Sequence, residues 1–140
     1  SYWGTNETNF AGIGVGGIVT ITNNQFNELG QRGVWLRRIS ATKIDVNNNM
    51  FDHTGGVDGG GGLQLEVLVP ETVLEVNILK NTFQKITHFF GIRLGNATNP
   101  TIGKVTIKEN KFIDFNLETA VYVNGYEGMA NVDANVNYYA

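Results

Sequence analysis

VTIKENKF, residues 105–112, decides how this chain folds. Val105 and Ile107 alternate with polar neighbours, the two-residue period of a strand with one buried face. Asn110 and Phe112 then follow at the sixth and eighth positions. The same template recurs as VTITNNQF (19–26), IDVNNNMF (44–51), VNILKNTF (76–83) and VDANVNYY (132–139). Each copy therefore reads as a short strand that ends in a bend at the asparagine. This placement accounts for a composition in which asparagine, with 18 copies, is as common as glycine, although it suits neither helix nor strand interiors.

A second motif follows each full copy: GVWLRR (33–38), GLQLEV (62–67), GIRLGN (91–96) and AVYVNG (120–125). Val34, Leu63, Ile92 and Val121 stand at one constant interval, which sets a period of about 29 residues. Two strands per repeat at that period, with no amphipathic helical stretch, imply an all-β solenoid whose turns bury their apolar edges against one another. Val19, Ile21, Ile44, Val46, Val76, Ile78, Val105 and Ile107 are expected to point inward from the first strand. Val34, Leu36, Leu63, Leu65, Ile92, Leu94, Val121 and Val123 are expected to do so from the second. Asn24, Asn49, Asn81, Asn110 and Asn137 should form a hydrogen-bonded ladder at the bend, with Phe26, Phe51, Phe83, Phe112 and Tyr139 stacked beside it.

These aliphatic, asparagine and aromatic ladders make the chain resemble the right-handed parallel β-helix proteins of the pectate-lyase-like kind, from about Val15 to Tyr139. The resemblance implies a solenoid of about five coils at the period of the second motif, in one domain over residues 1–140. It is specific for fold. Proteins of this kind include polysaccharide lyases and hydrolases, sugar epimerases, phage tailspikes and repeat modules of surface proteins. Tyr2-Trp3-Gly4 and Asn137-Tyr138-Tyr139 look like variants of an N-Y-W-G element of surface-type β-helices. Neither end reads as a capping helix, so neighbouring β-helix modules or end-to-end self-association are expected partners.

Composition removes several function classes. The 140 residues carry a formal net charge of −3 with 16% charged residues and no basic run, which speaks against a nucleic-acid surface. There is no cysteine, so disulfides and thiolate metal sites are excluded. No apolar run approaches the roughly 20 residues of a membrane-spanning helix, and the N-terminal residues lack a signal-peptide pattern. His53 and His88 fall at unlike places in their repeats, so no metal or cofactor is expected. With serine only at Ser1 and Ser40, a serine triad is nearly excluded.

The glycine-rich stretch GGVDGGGG, residues 55–62, reads as a turn. The connection from Phe51 to Leu63 is longer than its equivalents from Phe26 to Val34, Phe83 to Ile92 and Phe112 to Val121, and the extra length falls on these glycines. Neither a helix nor a lysine follows it, as a phosphate loop would require, and Asp58 is not repeated as in a calcium-binding glycine array. A lyase would set a basic residue beside acidic calcium ligands, and Arg37, Asp58, Glu66 and Arg93 supply these singly. Arg37 and Glu66 occupy equivalent positions in adjacent repeats, which an ordinary cross-strand pair explains as well. Catalytic residues are therefore not assigned.

Trp35, Gln64, Arg93 and Tyr122 share one outward register, about 4.8 Å apart along the axis. Aromatic rings with an interleaved amide and guanidinium suit an extended polysaccharide. A solvated face, with the rings present for β-propensity, is the alternative. Sequons at Asn6 and Asn96 accord with an extracellular or cell-surface setting. The sequence thus points to a polysaccharide-binding or adhesive module or a rigid spacer, with a polysaccharide lyase as the other reading.

Overall fold

Strands that alternate aliphatic and polar residues and are joined by short corners build the whole of the described structure. The computed structural model describes residues 8–11, 14–37, 40–55, 61–66, 75–86, 90–94, 104–114, 120–123 and 130–131. Among them there is no helix. Numbered in chain order, the first group of strands is β1 (Thr8–Ala11), β4 (Arg32–Arg37), β7 (Gly61–Glu66), β10 (Phe90–Leu94) and β13 (Val121–Val123). The second is β2 (Gly14–Thr22), β5 (Ser40–Asn47), β8 (Glu75–Leu79), β11 (Lys104–Lys108) and β14 (Ala130–Asn131). The third consists of β3 (Gln25–Asn27), β6 (Met50–Asp52), β9 (Thr82–Gln84) and β12 (Lys111–Ile113).

Each group is one sheet, in the orders β1-β4-β7-β10-β13, β14-β11-β8-β5-β2 and β12-β9-β6-β3. All pairings are parallel. Every strand pairs with the one three places along the chain, so the backbone visits the three sheets in rotation. That connectivity is consistent with a β-helix-like solenoid. Inward aliphatic side chains from the first two sheets meet in one core. Val34, Leu36, Ile44, Val46, Leu63, Leu65, Val76, Ile78, Ile92, Leu94, Val105 and Ile107 are each 0% exposed, whereas Val19 and Val121 are only partly buried at its margin.

At the corner between the second and third sheets the asparagines form a chain of hydrogen bonds. The backbone N–H and the amide Nδ2 of Asn49 both donate to Oδ1 of Asn81, at 2.9 and 3.0 Å. Asn81 donates in the same way to Asn110, at 2.9 Å for each bond. Asn24 donates to Asn49 at 3.0 and 3.1 Å. The amides of Asn49, Asn81 and Asn110 also donate back to the carbonyls of Ile21, Val46 and Ile78. All four hydrogen-bonding positions of the Asn49 and Asn81 amides are thereby filled, which lets polar side chains sit in the interior. Beside them the rings of Phe26, Phe51, Phe83 and Phe112 lie stacked, with centroids 5.0, 4.6 and 5.2 Å apart. Asn137 and Tyr139 lie outside the described residues.

The structure departs from the sequence reading at several points. Residues expected only to bend and carry the aromatic stack form a third sheet. The left-handed residue at that corner is the fifth of the template rather than the asparagine at the sixth: Asn23, Asn48, Lys80 and Glu109 have φ between 57 and 58°. A second left-handed corner, at Glu28, His53, Lys85 and Asp114, closes the third sheet. Strand β1 pairs Thr8 with Val34, adding a rung ahead of the four copies of the second motif. Strand β2 begins at Gly14, upstream of the expected Val19, and its register shifts around Gly17. The ladder offsets are 25, 32 and 29 residues, because the connections between strands differ in length.

The strand that pairs with β11 on its far side also begins earlier than the repeat alignment sets it. Val105 pairs with Ala130, although the repeat alignment sets Val105 opposite Val132. A slip of two residues keeps the same face of a strand toward the core. Alternation alone therefore cannot choose between these registers.

Candidate functional site: the outer face of the first sheet

Opposite registers on β4, β7, β10 and β13 place Trp35 beside Gln64, Gln64 beside Arg93, and Arg93 beside Tyr122. The expected row is thus continuous along the backbone, and β1 extends it with Asn9 opposite Trp35. Arg37 and Glu66 are register partners two residues farther along the same strands.

The side chains differ from an open row of four platforms. Arg32, from the start of β4, lies over the Trp35 ring with its guanidinium carbon 4.1 Å from the ring centroid. Its Nε donates to Oε1 of Gln64, and one of its terminal nitrogens donates to Oε1 of Gln31 at 3.2 Å. Gln64 is consequently only 3% exposed. It ties neighbouring strands together and is not presented to a ligand, and Trp35 is partly covered by a cation where a free stacking surface was expected. Tyr122 is 41% exposed. The guanidinium of Arg93 sits between two rings, 5.8 Å from Phe90 and 5.5 Å from Tyr122. Its Nε is buried and has no hydrogen-bond partner among the described residues.

Arg32 and Phe90 are the members of this cluster that the repeat pattern did not single out. The ring of Phe90 occupies the place where a Cβ on Gly61 would stand, at 2.5 Å from that position. The pairing of Gly61 with Phe90 across adjacent strands is the signal that would have found it. The side chains in contact here carry two guanidinium charges and no carboxylate, on a chain whose formal charge is −3. An aromatic face with fixed cations can stack on sugar rings and bind anionic or hydroxyl groups.

His53 is not part of this cluster. His53 Nδ1 is 2.8 Å from Asp52 Oδ1 at the corner after β6, in the third sheet. Asp58, His88, Asn6 and Asn96 lie outside the described residues. Among the described residues no three His, Asp or Glu side chains come together as a donor set for a metal ion, and no helix is long and apolar enough to cross a membrane. An open polar groove of about 400 Å³ runs along the asparagine corner, lined by Asn23, Gln25, Asn48, Met50, Lys80 and Thr82. In comparison with known proteins, the chain matches no family model, no curated protein and no solved structure.

Proposed function

We propose that this chain is a right-handed parallel β-helix of about five coils with a period of about 29 residues, of the pectate-lyase-like and surface-protein type. It serves as a non-catalytic extracellular module that binds an extended polysaccharide. One observation carries the reading: Arg32, Trp35, Gln64, Arg93 and Tyr122 form a connected cationic and aromatic strip across four successive strands of one sheet. A polymer laid along the solenoid axis would meet the exposed Tyr122 ring, the Arg93 fork and the outer side of the Arg32–Trp35 pair in order. Gln64 acts behind them by holding Arg32 in place.

Affinity electrophoresis through gels that contain single polysaccharides tests the proposal. Changing Tyr122 or Arg93 to Ala should weaken retention by about 1 kcal/mol or more, with the thermal midpoint little changed, since stacking and charge-assisted contacts are the terms removed. Trp35→Ala should weaken retention and also lower stability, because it frees Arg32. If no polysaccharide is retained, the spacer role stands in its place. If unsaturated ends accumulate, read by ultraviolet absorbance on acidic polysaccharides with calcium, the chain is a lyase working through the face that bears Arg37, Glu66 and Arg93.

A further inference from the structure

We infer that the strip is specific for an acidic polysaccharide in which a uronate alternates with a neutral sugar, and that Arg93 is the residue that selects it. The inference rests on the glycan reading above and names the kind of polymer that this face takes. Among the side chains in contact here, charge alternates from strand to strand. The Arg32 guanidinium lies over Trp35 on β4, and Gln64 on β7 is neutral and 3% exposed. The Arg93 guanidinium stands on β10, beside the exposed, neutral Tyr122 ring of β13. Register pairing sets Trp35, Gln64, Arg93 and Tyr122 in line, so the strands that carry the two cations are about 9.6 Å apart, twice the strand spacing. A sugar residue of an extended chain advances by about one such spacing. A chain laid along the axis therefore meets a cation at every second residue.

The two guanidinium groups are not equivalent. Arg32 is held by Gln64 and Gln31 and acts on a ligand through its charge. Arg93 makes no hydrogen bond or ion pair among the described residues, and its Nε is shut off from water without a partner. A charged donor desolvated in this way carries a free-energy cost that an acceptor relieves. Because no hydrogen bond anchors it, the side chain can turn outward from between Phe90 and Tyr122 and present its planar fork. A carboxylate matches that fork with two parallel bonds. One strand farther on, a neutral sugar of the same polymer stacks on the uncharged Tyr122 ring. A polymer charged at every residue fits less well. Its carboxylate over β7 would face the buried Gln64 with no cation to meet it, on a protein whose formal net charge is −3.

Affinity electrophoresis of the full chain through gels that hold hyaluronan, the same polymer with its carboxyl groups reduced to alcohols, or polygalacturonate tests this. Native hyaluronan, in which a uronate alternates with a neutral N-acetylated sugar, should retain the protein at least about tenfold more tightly than its reduced form. It should also retain it more tightly than polygalacturonate, which is charged at every residue. Added salt should weaken retention by native hyaluronan and leave that by the reduced form nearly unchanged. Arg93→Gln should bring the two forms to equal retention, and Arg93→Lys should recover only part of the difference, since a point charge replaces the fork. Tyr122→Ala should weaken retention by both forms. Equal retention of the parent by native and reduced hyaluronan, tighter retention by polygalacturonate, or a preference that survives Arg93→Gln would each overturn the inference and leave polysaccharide binding in place. Failure of every polysaccharide to retain the parent would remove the glycan reading and the inference with it.

Discussion

Asn81 shows what one side chain contributes to this architecture. Its Oδ1 accepts from the N–H and the amide of Asn49, and its Nδ2 donates to Asn110 and to the carbonyl of Val46. Alanine would leave buried groups on both neighbouring strands without partners, so Asn81→Ala should lower stability by about 3 kcal/mol in urea melts. Asn24→Ala, at the exposed end, should cost under about 1 kcal/mol. Equal losses would show that the ladder does not act as a buried network. The corner residue next to it behaves differently. Lys80 has φ 57°, a region that asparagine tolerates better than other side chains. Its ion pair with Glu109, at 3.7 Å and largely exposed, contributes little. Lys80→Asn, which copies Asn23 and Asn48 at the same corner, should therefore stabilise the protein by about 0.5 kcal/mol, read as a higher melting midpoint.

Between neighbouring strands, packing of rings against glycine sets the tolerance to change. A Cβ on Gly62 would stand 2.5 Å from both the Gly91 carbonyl and the Phe83 ring, and one on Gly33 would stand 2.4 Å from Phe51. The small first residue of the second motif is thus the floor on which the aromatic stack rests. Gly62→Ala should destabilise by about 3 kcal/mol through overpacking, and Phe83→Ala by about 4 kcal/mol through the cavity it leaves. Removing the ring relieves one of the two clashes, so the double variant should lose less than the sum of the single losses. A strictly additive result in thermal melts would separate the glycine from the ring. This contact also changes the meaning of the glycine-rich stretch. Gly55 has φ 81°, and Gly61 and Gly62 lie under Phe90 and Phe83. Both ends of a segment that reads as slack in the sequence are steric necessities.

Across the whole molecule, stability should follow position in the stack. Each rung touches only its neighbours, so inner rungs are held from two sides and end rungs from one. Amide hydrogen exchange should be slowest in β5, β8 and β11 and fastest in β3 and the outer edge of β2. Uniform protection along the chain would mean that it unfolds as a single unit.

Alternation of aliphatic residues, together with an asparagine and an aromatic repeated at fixed places, determined by itself which side chains face inward and which stack on their own kind. Parallel, in-register pairing brings equivalent positions together, so a local pattern is enough to specify those ladders. Tertiary structure alone decided the rest. The residues at the second left-handed corner, Glu28, His53, Lys85 and Asp114, share no side-chain chemistry, and only the geometry of closing each turn selects them. The register of β14 hung on a two-residue slip that leaves the buried face unchanged. The outer strip was legible as a row, but its chemistry was not. Arg32 covers Trp35 and buries Gln64, and Phe90 fills the space above Gly61. Where a long side chain comes to rest depends on the room left by residues on neighbouring strands, and no pattern within one repeat records that room.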